Sequence, residues 1–487
     1  MGLERNTYDA QNNLSRVDMN VGRTPTQVRT FLYDHRGFLT AETHPELGTS
    51  VLYSDHDALG NPRRIRRGGW DLAHAFDPAG RLTEIRERGT TRVWKAWEYA
   101  TANGQAGQWS NGKLKSAVRH NRVLLPGTAT EVAVPVTEDY LYSGLGGRIS
   151  QVTTTVGTGN PDPPEESRPI FHYQLGYDPL GNVSSRTYPR CDFNFCSASG
   201  STANPFRTVS QSFTEGLLTA GPGYASAIAY HPNGLLQQVT HANGVLDLQE
   251  KDPHDMARPA RLRTSGASED FDTGVYSWDG AGNVTKMGSH RYVYDRLSRV
   301  QEGRVEVPGE GCGQELLLAS GTETGTVTHQ SCGTVRAEGS YTVGSTGDVT
   351  LRAGHRVALG HAFSVASGGR LTLETDPALD PGGGSQEASQ SYAFDRFGNL
   401  LTITTEREGQ SPVTRTIGTS SATNRLSLAS YDLSGNVTAW AGRQYRWDAF
   451  NMLTQEKPTS GNGHTFLYGP GDERILTIDW TQGTNSS

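Results

Sequence analysis

Carboxylates are the residues in this chain with the most regular surroundings. Asp34, Asp57, Asp77, Asp178, Asp279, Asp295, Asp395, Asp432 and Asp448 each follow an aromatic residue or, at Asp57, a histidine. Clustered carboxylates can do acid–base work or hold a cation. Here each Asp recurs once per unit at a turn position, which gives it a structural reading. The stretch YSDHDALGN sets Asp55 beside Asp57, faintly like a calcium loop, but it lacks the Glu that closes an EF-hand. His355 and His361 stand near each other in the sequence and read as exposed positions rather than metal ligands. The four cysteines form two local pairs, Cys191/Cys196 and Cys312/Cys332. Cys191 and Cys196 lie too far apart for a zinc knuckle, and no second pair follows closely. Disulfides and free thiols both stay open. H-E-x-x-H, G-x-S-x-G and G-x-x-x-x-G-K-[S/T] are absent, and the GEGCG stretch at 309–313 has no strand–helix context. No catalytic residue, cofactor or metal is expected.

The elements that carry these Asp residues form a repeat. Its unit is an aromatic residue, Asp, two variable residues, then Gly followed by Asn or Arg. Tyr177-Asp178-Pro179-Leu180-Gly181-Asn182 is a full copy, as are the units at Asp279/Gly282, Asp395/Gly398 and Asp432/Gly435. Tyr33-Asp34 with Gly37, Asp57 with Gly60, and Asp77 with Gly80 are close relatives, and Asp295 and Asp448 head degenerate ones. Asp at the first position of a type I turn accepts backbone N–H bonds, Pro suits the second, and a left-handed Gly closes it. The result is a β-hairpin with a G1 bulge. Such a hairpin is unstable alone and must lie against its neighbours. The step from Asp279 to Asp295 equals that from Asp432 to Asp448, while the step from Asp9 to Asp34 is half as long again. This uneven spacing reads as an antiparallel ribbon with variable loops, not a solenoid of fixed rung.

Composition agrees. With 58 Gly and 23 Pro among 487 residues, a helical bundle is excluded. The 19 Tyr, 14 Phe and 8 Trp argue against disorder. A net charge of −7 implies no nucleic-acid face. No run reaches the roughly 18 apolar residues of a membrane span. The fold class is all-β.

A dozen such units resemble the RHS-repeat, or YD-repeat, family: bacterial Rhs toxins, the C component of insecticidal toxin complexes, and teneurins. The resemblance covers residues 5–303 and 386–479. It implies a strand ribbon that spirals into a hollow shell, closed around a C-terminal effector in toxin members. It also implies a secreted or cell-surface protein, although the N-terminus carries no signal peptide. The family's self-cleaving context is not carried over. Asp77 and Asp178 head Asp-Pro-x-Gly turns, but the Leu-x-Gly-Gly continuation is missing.

Residues 304–376 break the repeat. Apolar pairs begin at Tyr341, Val349, Val357, Phe363 and Leu371, in short and nearly even steps that read as a small β-solenoid. It resembles the coathanger-stack insertions of some bacterial surface proteins. Residues 377–385 read as a Gly/Pro linker and 480–487 as a polar tail. Residues 157–167 read as an exposed loop.

Two functions follow. The first is a structural shell segment whose partner is the remainder of an Rhs polypeptide or a C-terminal toxin domain. The second is an adhesion module whose tyrosines stack on glycans. The array is expected to curve but stay open, with free edges near Tyr8 and Tyr468.

Overall fold

The computed structural model describes residues 3–481 except 105–108, 125–129, 145, 158–168, 190–206, 267–269, 309–314, 355, 361–362, 377–378, 380–384, 408 and 460–461. The described residues form 42 strands and no α-helix. No helix among them is long and apolar enough to cross a membrane.

The ribbon is a meander. From Leu3 to Ser210, 15 strands lie side by side in strict chain order. Sheets of two, five, seven and six strands continue it. Pairing within them is antiparallel, as short turns demand. Aromatic residues end incoming strands, and a register shift falls just before Tyr33, Tyr177, Trp278 and Phe394. All the Asp-headed turns from Asp34 to Asp178 therefore lie on one edge of the ribbon, and plain turns such as 44–50 and 68–69 lie on the other.

The ribbon then meets itself. The two strands before its last, Leu453–Pro458 and Asn462–Tyr468, pack face to face on the long strands Leu114–Leu124 and Glu131–Ser143. Val123, Val134, Val136, Val156 and Leu467 form the apolar core of that contact. Beside it Ala449 joins Leu72, Ile85 and Trp94 in a second core, with Phe450 and Trp70 against it. Tyr468 is 3% exposed in this contact. The next strand, Arg474–Thr481, pairs with Asn462–Tyr468 and with no other described strand, so the sheet has its edge there, close to the expected place. Tyr8, in the first strand, is 53% exposed.

The interruption is parallel. Thr326–Ser331, Asp348–Ala353 and Arg370–Thr375 stack in register, as do Glu315–Glu323, Thr334–Val343 and Arg356–Leu359. Val349 pairs with Leu371, and Val335 with Val357, so each of these pairs is separated by one full rung. Three of the sequence steps make one such rung. Its interior, from Val335 to Ala353, holds seven residues at 0–2% exposure, and the partly buried apolar side chains described against them, such as Leu316, Val357 and Leu371, come from the same lobe. Cys332 is disulfide-bonded; Cys191, Cys196 and Cys312 lie outside the described residues, as do His355 and His361.

The ladder passes straight under this lobe. Val300–Pro308 pairs antiparallel with Ser385–Phe394, residue for residue from Glu302↔Ser391 to Pro308↔Ser385. Deleting 309–384 and joining Pro308 to Ser385 through Asn-Gly is thus expected to leave a soluble β-rich chain with one cooperative denaturant transition. Loss of cooperativity would show that the ribbon needs the lobe.

Candidate functional site: the hairpin tips and the seam they build

Each tip satisfies its polar groups in one pattern. In the unit at Asp178, the Asn182 amide N–H and the Gly181 N–H donate to Asp178 Oδ1 and its carbonyl at 2.8 and 2.9 Å, and Asp178 N–H donates to the Asn182 carbonyl at 3.0 Å. The same backbone bonds recur at Asp34, Asp57, Asp77, Asp279, Asp295, Asp395, Asp432 and Asp448. The closing Gly37, Gly60, Gly80, Gly181, Gly282, Gly398 and Gly435 have φ between +76° and +94°. Ser298 and Asn451 take that place in the degenerate units at φ 59° and 61°.

The second carboxylate oxygen explains the Asn or Arg after Gly. Asn182, Asn283, Asn399 and Asn436 each donate a side-chain N–H to their own Asp Oδ2 at 2.8–2.9 Å. Arg81 and Arg299 donate Nε–H to Asp77 and Asp295 at 2.7 Å. The bond from Asn182 leads the causes that lower the Asp178 pKa. At Asp34 burial pulls upward, but bonds from Phe38 and Arg36 outweigh it and leave the carboxyl at about 2.

Neighbouring hairpins are tied by the aromatic residue. The Tyr33 hydroxyl donates to the Leu14 carbonyl at 3.1 Å, Tyr177 to Ile149 at 2.7 Å and Tyr294 to Val284 at 2.9 Å. Trp447 Nε1–H donates to Val437 at 2.7 Å. Each acceptor lies at the start of the strand that leaves the preceding tip. The Arg that closes one tip also lies over the next aromatic ring: Arg81 over Tyr99 at 4.0 Å and Arg299 over Phe394 at 4.5 Å. The second contact spans the inserted lobe.

Where the ribbon meets itself, the tips become ligands of the earlier turn. Arg396, in the tip of Asp395, donates to Asn20 Oδ1 at 3.0 Å. Gly48 N–H donates to the Leu433 carbonyl at 3.0 Å, in the tip of Asp432. Gln27, Glu46 and Asn424 form a second node, with Gln27 Nε2 to Asn424 Oδ1 and Asn424 Nδ2 to Glu46 Oε1 both at 2.6 Å.

The most buried node is ionic. Arg119 is 1% exposed and pairs with Asp448 and Asp472. Lys95, 4% exposed, meets Asp472 Oδ1 at 2.6 Å and lies 4.4 Å above the Phe450 ring. Asn121 clasps the Tyr468 backbone, donating to its carbonyl and accepting from its N–H at 2.9 Å each. Asp448 heads a degenerate unit in which Met452 stands where Asn or Arg would donate. Its Oδ1 still serves the turn, from Phe450 and Met452, and Arg119 supplies the missing donor from the other ribbon turn. In the final unit Gly469 holds the Asp position and Asp472 the Gly position, at φ 69°. That exchange aims a carboxylate at Lys95 and Arg119. Burial lowers Lys95 to about 8, and the Arg119 charge adds to this against Asp448 and Glu473. Burial likewise lowers Arg119 and raises Glu138, which sits by Glu473.

The structure thus brings Asp448 into the seam with Lys95, Arg119, Asn121 and Asp472, none of which stood out in the sequence. The other Asp-headed tips remain spread along the ribbon. Among the described residues no three His, Cys, Asp or Glu side chains gather as metal ligands would.

Three outcomes follow. Arg119→Ala is expected to destabilise the fold by about 3–5 kcal/mol in denaturant melts, because it strands a buried carboxylate. Gly181→Ala is expected to cost about 1 kcal/mol or more, since its Cβ would sit at φ +89° against the Arg148 guanidinium. Lys95 releases its proton near pH 8 when folded and only near 10.5 when unfolded. The unfolded chain therefore binds more protons between these values, and stability rises with pH there. Lys95→Met should flatten that rise over about pH 8 to 9.5, below tyrosine ionisation; equal slopes would show that Lys95 is not desolvated.

No family model matches the sequence, and no curated protein does. Solved structures do match. The crystal structure of TcdB2-TccC3-Cdc42 matches with TM-score 0.56 and 15% identity, covering 99% of this chain and 23% of that one. The crystal structure of TcdB2-TccC3 gives 0.55 and 15%, covering 99% and 24%. A Photorhabdus luminescens Tc holotoxin pore with a mutated TccC3 gives 0.55 and 15%, covering 99% and 23%. The chain spans about a quarter of the length of the chains it matches. It has the all-β shell fold found in these toxin-complex structures.

Proposed function

We propose that this chain is a length of wall in an Rhs-type shell, and that its activity is enclosure rather than catalysis. The observation that carries this reading is the seam. Hairpin tips of the later turn are seated, through buried ion pairs, on strands of the earlier one. A ribbon built to lie turn against turn makes a wall. The fold likeness to toxin-complex chains supports the same reading. Of the tyrosines that could stack on sugars, Tyr33 and Tyr177 spend their hydroxyls on neighbouring hairpins. The partner in this reading is a toxin effector, or a further length of the same kind of ribbon, in a secreted or surface-exposed protein as the family resemblance implies. The inserted lobe is a separate unit carried on the wall.

The test is enclosure itself. An unstructured tracer peptide with protease sites is fused after Ser487, and its cleavage rate is compared with that of the free peptide. A wall reading expects at least about tenfold slower cleavage, and expects Arg119→Ala to restore the free rate. Imaging of single particles should show a closed ribbon turn. A tracer cut at the free rate on an intact particle would overturn the reading.

A further inference from the structure

The last rung of the inserted lobe leaves apolar side chains exposed. In-register pairing allows each position of its last rung to be compared with the rung beneath. Ala337, Val343 and Leu351 are fully buried, and they pair with Leu359, Val365 and Leu373. Those three are 43%, 42% and 48% exposed. The same apolar column is therefore sealed at one level and open at the next. Leu316 and Leu318 of the first rung, and Val357, Phe363 and Leu371 of the last, lie partly buried against the core. The last strand, Arg370–Thr375, pairs with Asp348–Ala353 on one edge and with no described strand on the other. A free parallel edge with open apolar side chains invites a further strand.

The geometry points to a second copy of this chain as the occupant, joined lobe end to lobe end about a two-fold axis. The argument lies in the sequence of the edge strand, Arg370-Leu371-Thr372-Leu373-Glu374. Antiparallel pairing of this strand with itself, centred on Thr372, puts Arg370 opposite the partner's Glu374 and Leu371 opposite the partner's Leu373. Directly opposed residues share a face and interact. The two Leu pairs would then extend the lobe's core column, and the two Arg–Glu pairs would lie outside. The strand is self-complementary in charge and in apolarity at one register. A two-fold contact needs that property, and it closes at two copies. Arg370 is exposed, and Glu374 makes a 3.5 Å contact with Arg352 that leaves it 48% exposed. The inference does not rest on the wall reading, since the lobe's core is its own. An interface one rung wide is small, so the dimer should be weak, with a Kd on the order of micromolar.

Sedimentation velocity on the full chain, from about 1 to about 300 µM, brackets that Kd and tests this. The parent is expected to pass from monomer to dimer. Arg370→Glu sets Glu against the partner's Glu374 and should raise the Kd about tenfold or more; Glu374→Arg sets Arg against Arg370 with the same effect. Mixed in equal amounts, the two variants make only opposite-charge pairs, so the mixture should regain the parent's dimer. That recovery also shows that both variants are folded. A parent that stays monomeric, assemblies that grow beyond two copies, variants that dimerise like the parent, or a mixture that stays monomeric would each overturn the proposal.

Discussion

A carboxylate in a tight turn has more acceptor capacity than the turn can fill, and the architecture follows from how that surplus is met. One oxygen of a turn Asp takes backbone N–H groups of its own hairpin, two of them at Asp279 and Asp395. The other needs a donor from elsewhere, because a partly buried carboxylate without one is costly. Where Asn or Arg follows the closing residue, the donor is local and the hairpin is self-sufficient. Where Met452 stands there, the donor comes from Arg119, and two distant parts of the chain are locked together. The same chemical need thus makes either an independent hairpin or a joint.

Lateral order has a different source. A ribbon of hairpins gains little from tip chemistry unless neighbours keep their register, and the hydroxyl or indole N–H of Tyr33, Tyr177 and Trp447, at the ends of their incoming strands, helps to fix it. This accounts for Tyr and Trp at positions where Phe would bury as much surface. Arg over the next ring adds a second tie across the same gap.

The array is legible because each unit is local. Asp178, Gly181 and the residues between them state a turn within one short motif, and alternation beyond them states a strand. The purpose of Asn or Arg after Gly can be inferred from the carboxylate's second oxygen, and Met452 then marks Asp448 as a residue in need of a partner. The identity of that partner cannot be read. Nothing near Arg119 shows that it will meet Asp448, and Lys95, Asn121 and Asp472 sit in strands and tips with no motif of their own. The burial of Tyr468 is hidden for the same reason: it depends on Asn121 and the strands around it, at the far end of a long stretch of ribbon. The lobe's steps are visible in the sequence, but their grouping into full rungs needs the register that sets Val349 beside Leu371.

The way the ladder runs beneath the inserted lobe has a consequence for how such chains diversify. Pro308 and Ser385 are direct ladder partners, so the segment between them leaves and returns at a single point. A folded insert whose ends meet adds little closure entropy to the surrounding chain. The ribbon's strand register is therefore indifferent to the length and content of that segment. This position is a port: lobes of other sizes could be exchanged there by recombination while the Arg119 joint, set by residues on either side, keeps its geometry.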